Sequence, residues 1–311
     1  MFNNMNPFDQ ILGHDSIKAY LDKALITNQL PNTILFAGPD GVGKKRLALA
    51  LAHRLLHPRR ELSNHPDFHL IAPEGKSGLH SIEAFRKAIE EAHETPFEAP
   101  AKCFLIDAAD RMQPAAANAL LKTLEEPTLD SYFLLVSSQP DAILPTIVSR
   151  CAKLTFHTLS NAHLEAILST HNLPSRFALF ARGSAARALE LANHPQLEQA
   201  RQLLFTLLAN PPPYPQLTPV LEQIDRLLET EEPLLRHTRI SDLFASIALY
   251  YRDQELRRID PTSPHLHFPE QSTGLLPKWE EPLEEARLAF DRNLKLSTCL
   301  ESFFLRVSHL L

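Results

Sequence analysis

The sequence predicts an α/β module, a parallel sheet with helices on both faces, followed by two smaller all-helical domains. Three observations predict it. Through the first half of the 311 residues short apolar runs alternate with helix-like segments, as strands joined by covering helices do. The strand signal fades after Phe156. From there apolar residues recur at helical spacing, interrupted by proline-rich stretches.

The runs at 33–37, 68–72, 103–107 and 132–138 read as strands. Between the last two, residues 114–127 carry Ala116, Leu120 and Leu124 four apart with proline at each end, which predicts a short, well-delimited helix. Segments 164–168, 177–180 and 185–191 read as consecutive short amphipathic helices. In 210–219, Asn-Pro-Pro-Pro-Tyr-Pro-Gln-Leu-Thr-Pro, the prolines remove backbone donors and fix φ, so neither a helix nor a central strand is expected to cross. A domain boundary is placed there. Segments 220–228, 240–258 and 282–311 are again helix-like, broken by a Pro- and His-containing stretch at 261–277. The expected domains are 1–157, 158–210 and 211–311.

Composition narrows the function classes. Lys and Arg total 31 against 37 Asp and Glu, a formal charge of -6, which argues against a chain-wide basic face for phosphate backbones. Any DNA contact is expected to be local or shared with partners. The N-terminal segment lacks the basic start and apolar run of a signal peptide, and no apolar span is long enough for a membrane helix, so a cytoplasmic protein is expected. The three cysteines, Cys103, Cys151 and Cys299, lie far apart without CxxC pairing, and neither disulfides nor a zinc site is expected.

The chemistry concentrates at Gly38-Pro-Asp-Gly41-Val-Gly43-Lys44-Lys45, which follows the strand at 33–37 and leads into a helical segment. Strand, glycine loop and helix in this order make a phosphate cradle. Glycines let the backbone curl around phosphate oxygens, the helix N-terminus adds its N–H groups, and Lys44 reaches the outer phosphates. Where Ser or Thr would offer magnesium a hydroxyl stands Lys45, which cannot ligate a cation. ATP is the expected ligand, with magnesium held weakly or not at all. Asp107 ends an apolar strand, the place of the second metal-binding carboxylate, but Ala108 follows it where a base would orient water. Ser138, with Ser137, ends the next strand, where a hydroxyl can sense a terminal phosphate. His265 and His267 lack a third ligand and are expected in a solvated loop.

These residues, with Pro7-Phe8, Leu12-Gly13-His14, His65-Pro66-Asp67, Asp110-Arg111-Met112, Asn118-Ala-Leu-Leu-Lys-Thr-Leu-Glu-Glu-Pro127 and Ser149-Arg150-Cys151, resemble the clamp-loader subunits of the AAA+ superfamily, in particular the delta-prime family of bacterial DNA polymerase III. The resemblance is strong over 6–156 and weaker beyond, where 293–300 is similar to the family's C-terminal collar helix. It implies an AAA+ nucleotide-binding module, a helical lid and a helical collar through which five subunits form a ring with gamma/tau and delta partners. Such a ring acts on the sliding clamp and primed DNA, with no membrane. It also implies that Arg150 reaches into a neighbour's ATP site as an arginine finger, a role that its planar, permanent charge suits. The family's four-cysteine zinc module is absent from the 56–64 interval, and Ala186 stands where ATP-hydrolysing relatives carry a sensor arginine. Lys45, Ala108 and Ala186 together predict a subunit without independent ATPase activity. The alternative is an ATP-hydrolysing gamma/tau-like motor subunit.

Overall fold

The structure, a computed structural model, describes residues 6–57, 61–73, 79–126, 130–230, 233–263 and 278–309. The chain divides into two compact units. The first runs to Ala178 and includes Arg182–Arg187; the second comprises Leu179–Ala181 and Ala188–Leu311.

In the first unit, strands β1 (Thr33–Ala37), β2 (Phe68–Ile71), β3 (Lys102–Ile106), β4 (Ser131–Ser137) and β5 (Ala152–Thr155) form one parallel sheet in the order β2-β3-β4-β1-β5. β1 and β3 are buried from end to end, as a strand covered on both faces must be, and this is why their sequences are unbroken apolar runs. Successive side chains alternate between the two layers. Ile34, Phe36, Cys103, Leu105 and Val136 face a core that includes Leu47 and Leu51 of α2 (Lys44–Leu56) and Ile17 and Leu21 of α1 (Asp15–Ile26). Leu35, Ala37, Phe104, Ile106 and Leu135 face the other core, with Phe85 and Ala88 of α3 (Ile82–Ala92) and Ala116, Leu120 and Leu124 of α4 (Pro114–Glu125). The register pairs Phe36 with Val136 and Leu105 with Leu134, so the C-terminal ends of β1, β3 and β4 lie side by side.

Local chemistry sets the element ends. α4 opens on Pro114, where the missing N–H has no intrahelical use. Ser81 caps α3, its hydroxyl accepting from Ala84 N, and Ser160 caps α6 (Asn161–Thr170) by accepting from His163 N. The short helix α5 (Pro145–Val148) precedes β5, and α7 (Ala185–Asn193) begins at the end of this unit. Asp67, fully buried at the entry to β2, accepts backbone N–H bonds from Phe97 at 2.6 Å and from Glu98 and Ala99 at 2.9 Å. Burial works against its charge, but those three donors and nearby His65 hold the carboxyl below its usual range.

The second unit is helical: α8 (Pro195–Ala209), α9 (Tyr214–Leu227), α10 (Pro233–Ile259), α11 (Glu280–Asp291) and α12 (Leu296–His309). Leu204, Leu221, Ile224, Ile247, Leu300 and Phe303 are buried. The buried Arg201 guanidinium lies 3.3 Å from the Phe180 ring centroid. Trp279 stacks on Tyr251 at 5.6 Å and donates to Glu255 at 2.8 Å, which makes it a packing residue of this unit.

The α/β class, the parallel sheet and the helical remainder are as expected, and several details differ. β5 is a fifth strand at 152–155, short and with alternating partial exposure, so its four residues carry no apolar run. Residues 175–180 form a 3-10 helix rather than an amphipathic α-helix. The proline-rich stretch does not exclude a helix: α9 starts at Tyr214, uses Pro215 in its first turn and contains Pro219. Segment 282–311 is two helices, because Asn293 adopts φ 67° between α11 and α12, a conformation that asparagine tolerates. His265, His267 and most of the 261–277 stretch lie outside the described residues.

Candidate functional site

The neighbouring ends of β1, β4 and β3 carry Gly38, Ser137 and Asp107, so residues far apart in sequence meet at one rim of the sheet. This is where open parallel sheets hold ligands. Gly38 closes the β1 ladder by donating to Ser137 O at 3.3 Å. The loop that follows turns through Gly41 at φ 74° and Gly43 at φ 103°, a region in which side chains are disfavoured. A Cβ on Gly41 would collide with Ser184 Oγ, whereas one on Gly43 would meet nothing within 4 Å. Gly43 therefore faces open space and also starts α2.

Lys44 is buried, and its ammonium donates to Gly38 O at 2.7 Å and Pro39 O at 2.6 Å, with Asp40 at 3.6 Å. Burial holds it below the usual lysine range, against the pull of Asp40 and the more distant Asp110 and Asp107. Lys45 crosses to the next motif: its ammonium lies 2.8 Å from Asp107 Oδ2, while Asp107 Oδ1 accepts from Ala108 N. The side chain that should give a metal its hydroxyl instead places a positive charge on the carboxylate that should give the metal its oxygen. Magnesium does not fit this pair of residues.

Ser138 contributes only its backbone N–H, which donates to Asp110 Oδ1 at 3.2 Å. The serine side chain that reaches this carboxylate is Ser137, buried and donating to the same Asp110 oxygen at 2.5 Å. Asp110 entered the sequence reading only as part of the family resemblance; its contact with both serines was not legible, because it depends on where the end of β4 lies. Two further residues bear on the loop. His14, in the left-handed conformation at φ 56°, donates through Nε2 to Val42 O at 2.8 Å and packs on Phe156 at 4.6 Å. Its burial lowers its pKa, an effect partly opposed by the Val42 bond. Ala186 N donates to Gly41 O at 3.1 Å, so a backbone N–H meets the loop where a sensor arginine would stand. Beside Gly43 a cavity of about 240 Å³ is lined by Leu12, Val42, Ile167 and His171, with Arg46 and the oppositely charged Asp9 also in its lining.

Arg150 stands apart from these residues. It follows α5 and is exposed; its guanidinium donates to Thr146 O at 2.8 Å, Ser149 Oγ at 3.4 Å and Glu125 Oε1 at 2.7 Å. Next to it, Cys151 Sγ donates to Ile147 O at 3.1 Å, and burial pushes its pKa up to about 12. That thiol is a packing group. Among the described residues no cluster of His, Cys, Asp and Glu is arranged to hold a metal, and no helix is long and apolar enough to cross a membrane.

Residues 13–160 match the family model described as DNA polymerase III, delta subunit. The chain is 34% identical over 198 residues to DNA polymerase III subunit delta' of Bacillus subtilis, covering 58% of this chain and 59% of that one. It is 33% identical over 135 residues to the delta' subunit of Escherichia coli, 39% and 40% of the two chains. Against DNA polymerase III subunit tau/gamma of Haemophilus influenzae it is 30% identical over 227 residues, 65% of this chain and 33% of that one. The alignments thus span between 40% and 59% of the two delta' relatives. The glycine loop, Asp107 and Arg150 all lie inside the matched segment, and over that segment this chain is similar to the delta' subunits of DNA polymerase III.

Proposed function

We propose that the chain works as a delta-prime-type clamp-loader subunit: a stator that completes a ring with gamma/tau and delta partners in the cytoplasm. The ring places the sliding clamp on primed DNA, and this subunit donates Arg150 to a neighbour's ATP site without hydrolysing ATP itself. In this reading 158–210 serve as lid and 211–311 as collar. The observation that carries it is the Lys45 to Asp107 ion pair at 2.8 Å beside Ala108. A site with an ammonium on its metal carboxylate and a methyl group in place of its base has no means of activating water. Arg150, exposed on the matched module, supports the donor role, since a guanidinium supplied from outside stabilises charge spread over a transferring phosphoryl group.

The purified chain is expected to hydrolyse ATP no faster than its Lys44→Ala variant; turnover abolished by that substitution would instead mark a gamma/tau-like motor. The in-trans role is tested with reconstituted rings carrying wild-type, Arg150→Ala or Arg150→Lys subunit, their assembly checked by size. One finger is worth about 10³-fold or more at the site it serves, so clamp- and DNA-stimulated ATPase should fall partially with Arg150→Ala while other sites turn over. Arg150→Lys keeps the charge but loses the fork, and should rescue incompletely. Equal activity in all three rings would remove the in-trans role.

A further inference from the structure

We propose that Lys45 replaces the divalent cation in this site, so that the loop takes a nucleoside triphosphate without its metal ion. The inference rests on reading the loop as a nucleotide cradle and goes further by stating which form of the ligand it selects.

The geometry begins at α2. Its first three residues are Lys44, Lys45 and Arg46, with no acidic residue in the first turn. Helix N-termini favour negative charge, so three successive cations there oppose the helix dipole. Such an arrangement is stabilised by an anion held in front of it. Lys44 is turned into the loop onto Gly38 O and Pro39 O, Lys45 is held on Asp107, and Arg46 edges the cavity beside Gly43. Gly43, which precedes the three cations, has nothing within 4 Å of where a Cβ would stand.

The Lys45 pair decides which anion form fits. A metal ion in a phosphate loop bridges the P-loop hydroxyl, the strand-end carboxylate and the phosphate oxygens. Here the ammonium already spans that route, 2.8 Å from Asp107 Oδ2 with 43% of its side chain exposed. Its remaining protons are free to meet phosphate oxygens. A metal ion entering the same place would have to displace a fixed positive charge and would find only one of its two protein ligands. A metal-free triphosphate brings the additional negative charge that Lys45 and Arg46 can answer. The cavity beside Gly43, with Leu12, Ile167 and His171, offers the heterocyclic base an apolar slot.

The test is equilibrium titration of the purified chain with a fluorescent ATP analogue, in excess chelator and in excess magnesium. Wild type, Lys45→Thr and Lys45→Gln are compared, each first melted without ligand to confirm folding. Magnesium should change wild-type affinity by less than about threefold, and Lys45→Thr should gain about tenfold or more from it. Lys45→Gln should bind more weakly than wild type in chelator and not respond to magnesium, which carries the test if the threonine variant does not fold. Wild-type binding that requires magnesium would overturn the proposal, as would a folded Lys45→Thr chain that ignores the metal. Absence of binding by wild type under both conditions would also overturn it, while leaving the Arg150 ring experiment, and with it the stator reading, untouched.

Discussion

Asp67 is the residue whose burial most needs an explanation, and its three backbone donors at 2.6–2.9 Å provide one. Because its folded carboxyl is held below the ordinary aspartate range, it contributes stability that is present above the unfolded pKa and lost as pH falls through the folded one. Asp67→Asn keeps the shape but turns an N–H toward N–H groups, and should cost about 1–3 kcal/mol at neutral pH. It should also flatten the acid limb of a denaturation-against-pH profile. An unchanged urea midpoint would mean that the 97–99 segment is not anchored this way. At the same scale, the glycine loop was legible because its spacing is a local pattern, and Asp107 because it ends an apolar strand. The ion pair between Lys45 and Asp107, 62 residues apart, was not, since a long side chain finds its partner only once the sheet order is set. Ser137 and Ser138 show the same limit: sequence offered two hydroxyls, and strand register decided that the first points to Asp110.

Elements were legible in proportion to how much apolar sequence they carry. β1, β3 and β4 announced themselves because burial on both faces demands unbroken apolar runs. β5 pairs along one side with β1 and leaves alternate residues partly exposed, so Ala152–Thr155 gives no such run. α9 shows why proline is a weaker stop than its chemistry suggests. Pro215 sits in the first turn, where N–H groups have no intrahelical acceptor, and Pro219 removes a single later bond on an exposed face. Leu217, Leu221 and Ile224 remain buried on the other face, and that packing outweighs the lost bond. Restoring the donor with Pro219→Ala should raise stability by about 1–2 kcal/mol, the helix gain less the entropy that proline removes from the unfolded chain. The check is the urea midpoint followed by far-ultraviolet circular dichroism; a lower midpoint would mean that α9 is shaped around the proline.

At the scale of the whole molecule the charge of -6 governs association. The isolated chain should bind duplex DNA more weakly than about 100 μM at physiological salt, measured by fluorescence anisotropy, and micromolar affinity would reveal a local basic face. Its encounters with other proteins are subject to the same long-range repulsion or attraction, and in the in-trans role proposed above Arg150 would start from a particular state. Held on Glu125 at 2.7 Å with both side chains partly exposed, it is one half of a neutral couple. An anionic acceptor docking here does not add a partner to a hydrated charge; it exchanges one carboxylate for another anion. Salt loosens the outgoing pair as well as the incoming one, so the two effects offset, and the ionic-strength dependence of docking through this arginine is flatter than a solvated guanidinium would give. Glu125→Gln removes the resident competitor and should both tighten docking and steepen its salt dependence.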